Sequence, residues 1–192
     1  MPSMTAAIRR RSLTGAMLLL LAGCAQGRDL PLLPALPPGP YRLGAGDQLR
    51  VTIFAEQRLS GDFRVADTGN VALPLIGSIT VRGSTLEEAQ RAIEARFKES
   101  RMLANPTIAV EIVEYRPVFV LGMVERGGQT PYQPGMTVLS AMAVMGGFNY
   151  RAVTDYVSVT RRDEAGLPRE FRAGRSALLQ PGDVVNVFER RF

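Results

Sequence analysis

Two pairs of carboxylates, Asp62 with Asp67 and Asp163 with Glu164, have the composition of a general acid and its base, the arrangement that cleaves glycosidic bonds. Both pairs sit in turn-like sequence, where Asp is common because its side chain bonds the local backbone. The 192-residue chain contains no His and no Trp, so the commonest general base and the commonest zinc and haem ligand are missing together. Two further aspartates, Asp47 and Asp183, recur in an internal echo. Leu43-Gly44-Ala45-Gly46-Asp47-Gln48-Leu49-Arg50-Val51 and Leu179-Gln180-Pro181-Gly182-Asp183-Val184-Val185-Asn186-Val187 both follow L-x-x-G-D-x-φ-x-V, with φ apolar. Gly at a tight turn followed by Asp is a way of entering a strand, so both aspartates read as structural. We expect no catalytic residue, no metal site and no cofactor.

The single thiol, Cys24, precludes an internal disulfide. It follows Arg9-Arg10-Arg11, an apolar run from Leu13 to Leu21 and then small residues, the order of a secretory signal over 1–23. The apolar run is too short to span a bilayer, which takes about 20 residues. Leu21-Ala22-Gly23-Cys24 resembles the lipobox of bacterial lipoproteins, which implies a lipidated Cys24 as the mature N-terminus. Ala25 stands where an inner-membrane retention signal often places Asp, and by that sorting rule the outer membrane is expected. An ordinary secretory signal that happens to contain a cysteine is the alternative. Loss of the three signal arginines lowers the formal charge from +5 to +2. The remaining charges alternate in sign along most segments, without the basic stripe of a nucleic-acid binder, so no nucleic-acid partner is expected.

These residues need a scaffold. Prolines 31, 34, 37, 38 and 40 make 24–40 an extended, partly stiff tether. Gln48 to Phe54 alternates as a strand, and Phe63-Arg64-Val65 with Val71-Ala72-Leu73 predicts a hairpin around Asp67-Thr68-Gly69-Asn70. Ser84-Thr85-Leu86-Glu87 has the spacing of a capping box, and the helix it opens places Leu86, Ala89, Ile93 and Phe97 on one face. Thr107 to Tyr115 is a second clear strand.

Val118 to Val124 is apolar on both faces, which predicts a central strand covered on each side. Gly127-Gly128 makes a turn. A short helix carries Val138, Leu139, Met142 and Met145 and ends at Gly146-Gly147. Tyr156 to Arg162 and Phe171-Arg172 flank a turn at Asp163-Glu164-Ala165-Gly166, and Val184 to Phe188 is the last strand. The fold class is α+β, and this order fits a β-grasp-like module.

The residues Tyr41-Arg42-Leu43-Gly44-Ala45-Gly46-Asp47, then Val71-Ala72-Leu73-Pro74-Leu75-Ile76-Gly77, then the helix after Gly83-Ser84-Thr85, resemble the polysaccharide biosynthesis/export family of outer-membrane lipoproteins. The second half, through Val118 to Gly122, Val138 to Gly147 and Leu179 to Val185, resembles its SLBB domain, a soluble-ligand-binding β-grasp. The resemblance implies a β-rich polysaccharide-export domain over 41–115 followed by an SLBB domain over 116–192. It implies a homo-oligomeric ring in the periplasm that conducts capsular polysaccharide or exopolysaccharide outward, with the polymer and an inner-membrane polysaccharide copolymerase as partners. Long members add a C-terminal amphipathic helix that lines the outer-membrane pore. The sequence ends at Phe192 just after the last strand, so we expect polymer to pass to a separate outer-membrane β-barrel.

Tyr115, Tyr132, Tyr150, Phe148 and Arg151 are of types that suit sugar rings and acidic polymer, but core or subunit-interface packing is the favoured reading of each, so none is assigned as a site. Cys24, as the lipidation residue, is the one site residue assigned. The alternative to a conduit is a monomeric β-grasp ligand-binding lipoprotein of the cell envelope.

Overall fold

The computed structural model describes residues 26–36, 39–103, 105–163 and 166–190. The signal segment, Cys24 and Glu164 lie outside the described residues. Among those described, no helix is long and apolar enough to cross a membrane.

Strand β1 (Gln48–Ile53) buries Leu49, Val51 and Ile53 and turns Arg50 and Thr52 outward, the period-2 pattern of a half-buried strand. It lies between β2 (Gly61–Arg64) and β5 (Ile108–Glu114) in an antiparallel three-stranded sheet. The turn around Gly69 forms, closed by the Ala66 amide on the Asn70 carbonyl at 2.8 Å. The strands it joins do not pair with each other as the sequence predicts. Phe63 of β2 sits opposite Leu49 of β1, and β3 (Asn70–Leu73) pairs with β4 (Gly77–Thr80). The reason is the short Leu-Pro-Leu-Ile-Gly run, which brings Gly77 opposite Leu73 and gives β3 a nearer partner. Ile76 in that turn drops into the core.

Helix α1 (Leu86–Glu99) is capped by Thr85, one residue later than the Ser84 spacing predicts. The Thr85 hydroxyl accepts from the Glu88 amide at 3.2 Å, and the Glu88 carboxylate accepts from the Thr85 amide at 2.8 Å. Ser84 is already engaged in the preceding turn, its amide on the Val81 carbonyl. Ala89, Ile93 and Phe97, at four-residue intervals, are completely buried and share one core with β1, β3 and β5.

Residues 118–187 build a second sheet. Its strands are β6 (Val118–Gly122), β7 (Gly128–Thr130), β8 (Tyr156–Arg162), β9 (Pro168–Gly174) and β10 (Val184–Val187), in the order β7-β6-β10-β8-β9. The central pair β6 and β10 is parallel, and the other pairs are antiparallel. The expected Gly127-Gly128 turn leads directly into the short edge strand β7. Helix α2 (Val138–Val144) packs Val138, Ala141 and Met142 against one face of this sheet. One helix covers only one face, so β6 is not covered on both sides as its composition predicts. Val118 and Val120 are buried, whereas Phe119 and Leu121 are 39% and 50% exposed.

Part of the proline-rich segment lies against β9. The Arg172 amide donates to the Pro31 carbonyl at 2.7 Å, the Leu33 amide donates to the Arg172 carbonyl at 2.8 Å, and Leu32 bridges Arg172 in parallel. Nearby, the Tyr156 hydroxyl donates to the Gln26 carbonyl at 3.1 Å and the Arg172 guanidinium to the Arg28 carbonyl at 3.0 Å. Leu33 packs on the core of the second sheet.

Candidate functional site

The two Gly-Asp turns fold alike. Gly46 and Gly182 have φ of 98° and 87°, a left-handed conformation that a Cβ disfavours. Each following aspartate reaches back three residues: the Asp47 carboxylate accepts from the Gly44 amide and the Asp183 carboxylate from the Gln180 amide, both at 2.8 Å. Each closes its turn before the chain enters β1 or β10. Both side chains are buried, as structural aspartates must be only when their oxygens are satisfied.

The remaining oxygens do different work. Asp47 accepts from the Tyr41 hydroxyl at 2.7 Å and from the backbone amide of Arg116 at 3.0 Å. Asp183 takes both prongs of Arg161, Nε at 3.0 Å and Nη2 at 2.7 Å. This second pair is almost completely buried, and Arg161 also donates to the Leu178 carbonyl.

Arg116 ties the turns together. Its amide binds Asp47, its Nε donates to the Pro181 carbonyl at 2.8 Å, and the next residue, Pro117, accepts from the Gly182 amide at 3.1 Å. Its side chain runs so close to the first turn that a Cβ on Gly44 would stand 1.5 Å from Nη1. Beside it, Tyr41, Tyr115 and Tyr132 stack edge to face, with centroids 5.1 and 5.4 Å apart, and carry aromatic contact from one sheet to the other. Burial, reinforced by the Asp47 carboxylate, pushes the Tyr41 phenol well above its ordinary range, and burial also raises that of Tyr132.

Between the two sheets these turns leave a cleft of about 760 Å³, within the size range of ligand sites. Arg82 lines one wall, Arg161 and Arg162 line the other, and Arg116 lies between them. A neighbouring depression of about 420 Å³ shares Arg116 and Arg162 and adds Phe119 and Thr160.

Of the residues nominated from sequence, Tyr115 and Tyr132 meet in the tyrosine stack. Tyr150, 85% exposed, and Arg151, paired with Glu189, lie elsewhere, as does Phe148, which bridges Val124. Asp62 forms a two-pronged pair with Arg50, whose hydrogen bond holds its carboxyl below the usual range, and it does not join Asp67 in an acid/base site. Asp163 caps its own turn, accepting from the Leu167 amide and from Arg169. Sequence reasoning missed Arg82, Arg116, Arg161 and Arg162. No sequence signal marks Arg116, which lies more than 60 residues from either Gly-Asp turn and meets them only in the folded chain.

Residues 35–113 match the family described as polysaccharide biosynthesis/export protein. The exopolysaccharide production protein ExoF of Rhizobium meliloti is 32% identical over 136 residues, covering 62% of this chain and 32% of that protein. The capsule polysaccharide export outer membrane protein CtrA of Neisseria meningitidis is 30% identical over 146 residues, covering 69% and 35%. The EPS I polysaccharide export outer membrane protein EpsA of Ralstonia solanacearum is 26% identical over 184 residues, covering 79% and 48%. The chain thus spans about a third to a half of the length of these curated relatives. Residues 35–113 therefore belong to the polysaccharide biosynthesis/export family, and the relatives that the chain resembles are named for exopolysaccharide production, polysaccharide export or capsule polysaccharide export.

Proposed function

We propose that this protein is a periplasmic component of a capsular polysaccharide or exopolysaccharide export machine, anchored to the outer membrane by lipid on Cys24. Residues 1–23 are the signal, 24–40 link lipid to fold, 41–115 form the export domain and 116–192 form an SLBB domain of the β-grasp type. Copies join in a ring around a passage for polymer, with an inner-membrane copolymerase on one side and a separate outer-membrane β-barrel on the other. The observation that carries this reading is the reach of the similarity. The match to EpsA covers 79% of the chain, more than residues 35–113 can supply, so it extends into the second sheet. The order β7-β6-β10-β8-β9, with a parallel central pair and one helix on one face, supports the β-grasp assignment. A conduit needs packed interfaces and a polar passage, and the buried aspartates serve the packing here rather than any reaction.

The test is deletion of the gene followed by an assay of surface polysaccharide. Loss of surface polymer with synthesis intact is the expected result, and unchanged export in a strain without a paralogue overturns the reading. Radiolabelled palmitate is expected in the wild type and not in Cys24→Ala. Native mass spectrometry in detergent is expected to give a closed ring, whereas a ligand-bound monomer would favour the binding-module alternative.

A further inference from the structure

The cleft between the sheets has a charge arrangement that the structural work of its aspartates does not require. Three guanidinium groups face it without a carboxylate partner among the described residues. Arg82 donates to the Asp67 carbonyl, Arg116 to the Pro181 carbonyl at 2.8 Å and Arg162 to the Gly166 carbonyl at 3.0 Å. A carbonyl orients a guanidinium but leaves its full charge and most of its donors available. The acids nearby are already committed: Asp183 to Arg161, and Asp163 to Arg169 and the Leu167 amide. Among the described residues, only the carboxylate of Asp67 remains on the lining to offset three positive charges.

The position of Arg116 is fixed before any ligand arrives. Its stem lies against Gly46 and Gly182, its guanidinium against Gly44, and its Nε is held by Pro181, so little side-chain freedom is lost on binding. Where the cleft runs into the neighbouring depression, Phe119 offers a partly exposed ring and Thr160 a hydroxyl. Planar forks that match carboxylates, set beside an aromatic face, suit a chain of pyranose rings bearing acid groups.

We infer that this cleft binds a carboxylate-bearing segment of polysaccharide, with Arg82, Arg116 and Arg162 meeting the acid groups and Phe119 packing on the apolar face of a sugar ring. The inference rests on the export reading above and adds to it both a place of contact and a preference for acidic polymer. Recognition then spans two sheets that are themselves joined through Arg116, so a bound segment bridges them.

Full-length protein in detergent is titrated calorimetrically with a galacturonate hexamer, with the neutral maltohexaose, and with a single-stranded oligonucleotide of matching charge. Binding of the galacturonate hexamer, weakened about tenfold or more in Arg82→Gln/Arg162→Gln, is expected from the loss of two charge-assisted contacts. Phe119→Ala is expected to weaken binding with the salt dependence retained, and unchanged unfolding midpoints show that the variants are folded. Absence of binding, equal affinity for maltohexaose or the oligonucleotide, or full affinity in the double variant each overturns the inference. In cells, surface polysaccharide lost on gene deletion but retained with Arg82→Gln/Arg162→Gln overturns the cleft alone. Polysaccharide retained on deletion overturns the export reading beneath it.

Discussion

Arg161 and Asp183 meet in a two-pronged ion pair, with side chains 9% and 1% exposed, and join the end of β8 to the turn that opens β10. Removing one partner leaves the other charged and buried. Asp183→Ala is expected to cost about 3–5 kcal/mol, measured as a shift of the urea midpoint. Arg161→Met/Asp183→Leu is expected to recover much of that loss, since no buried charge is then stranded. Equal destabilisation by single and double variants would show that the pair is not what matters there.

Gly44 and Arg116 compete for one volume. Gly44→Ala is expected to cost about 1–3 kcal/mol by overpacking. Arg116→Ala opens the space, so the double variant is expected to be more stable than the sum of the two single losses allows. Additive losses would mean that Arg116 relaxes elsewhere at no cost.

Tyr41 predicts an alkaline limb. Its phenol has a raised pKa in the folded protein, so the contribution to stability is present below the ordinary value of about 10 and declines as pH climbs beyond it. Above that value the unfolded chain releases a proton that the folded chain retains. Urea midpoints measured from pH 8 to 11 are expected to fall more steeply for the wild type than for Tyr41→Phe. Parallel slopes would remove Tyr41 as the cause.

The register of α1 is directly testable. Thr85→Ala is expected to cost about 1 kcal/mol, as loss of an N-cap does, and Ser84→Ala clearly less. Thermal unfolding of the two variants decides between the caps.

The position of nearly every element could be read from periodicity: β1 from Leu49, Val51 and Ile53, α1 from Ala89, Ile93 and Phe97, and β8 and β9 from the turn between them. Pairing was less legible. Periodicity alone does not tell β3 to prefer β4 over β2, because the choice depends on how tightly residues 74–76 turn. Nor does composition show that Phe119 and Leu121 stay open, since an apolar face looks the same whether or not a second layer covers it. The Gly-Asp echo gave the two turns but not Arg116 between them. That contact joins residues 44, 47, 116 and 181, and only the assembled chain brings them together.

The strip at Pro31–Leu33 has one more implication. It precedes the first sheet in the chain yet lies beside β9 of the second, so residues 41–115 are threaded into the other body as an insertion. A fragment starting at Arg116 lacks this strip and bares the edge of β9 at Arg172, an open edge of the kind that recruits foreign strands. Any dissection of this protein that aims for a well-behaved C-terminal half has to bring its first few dozen residues along.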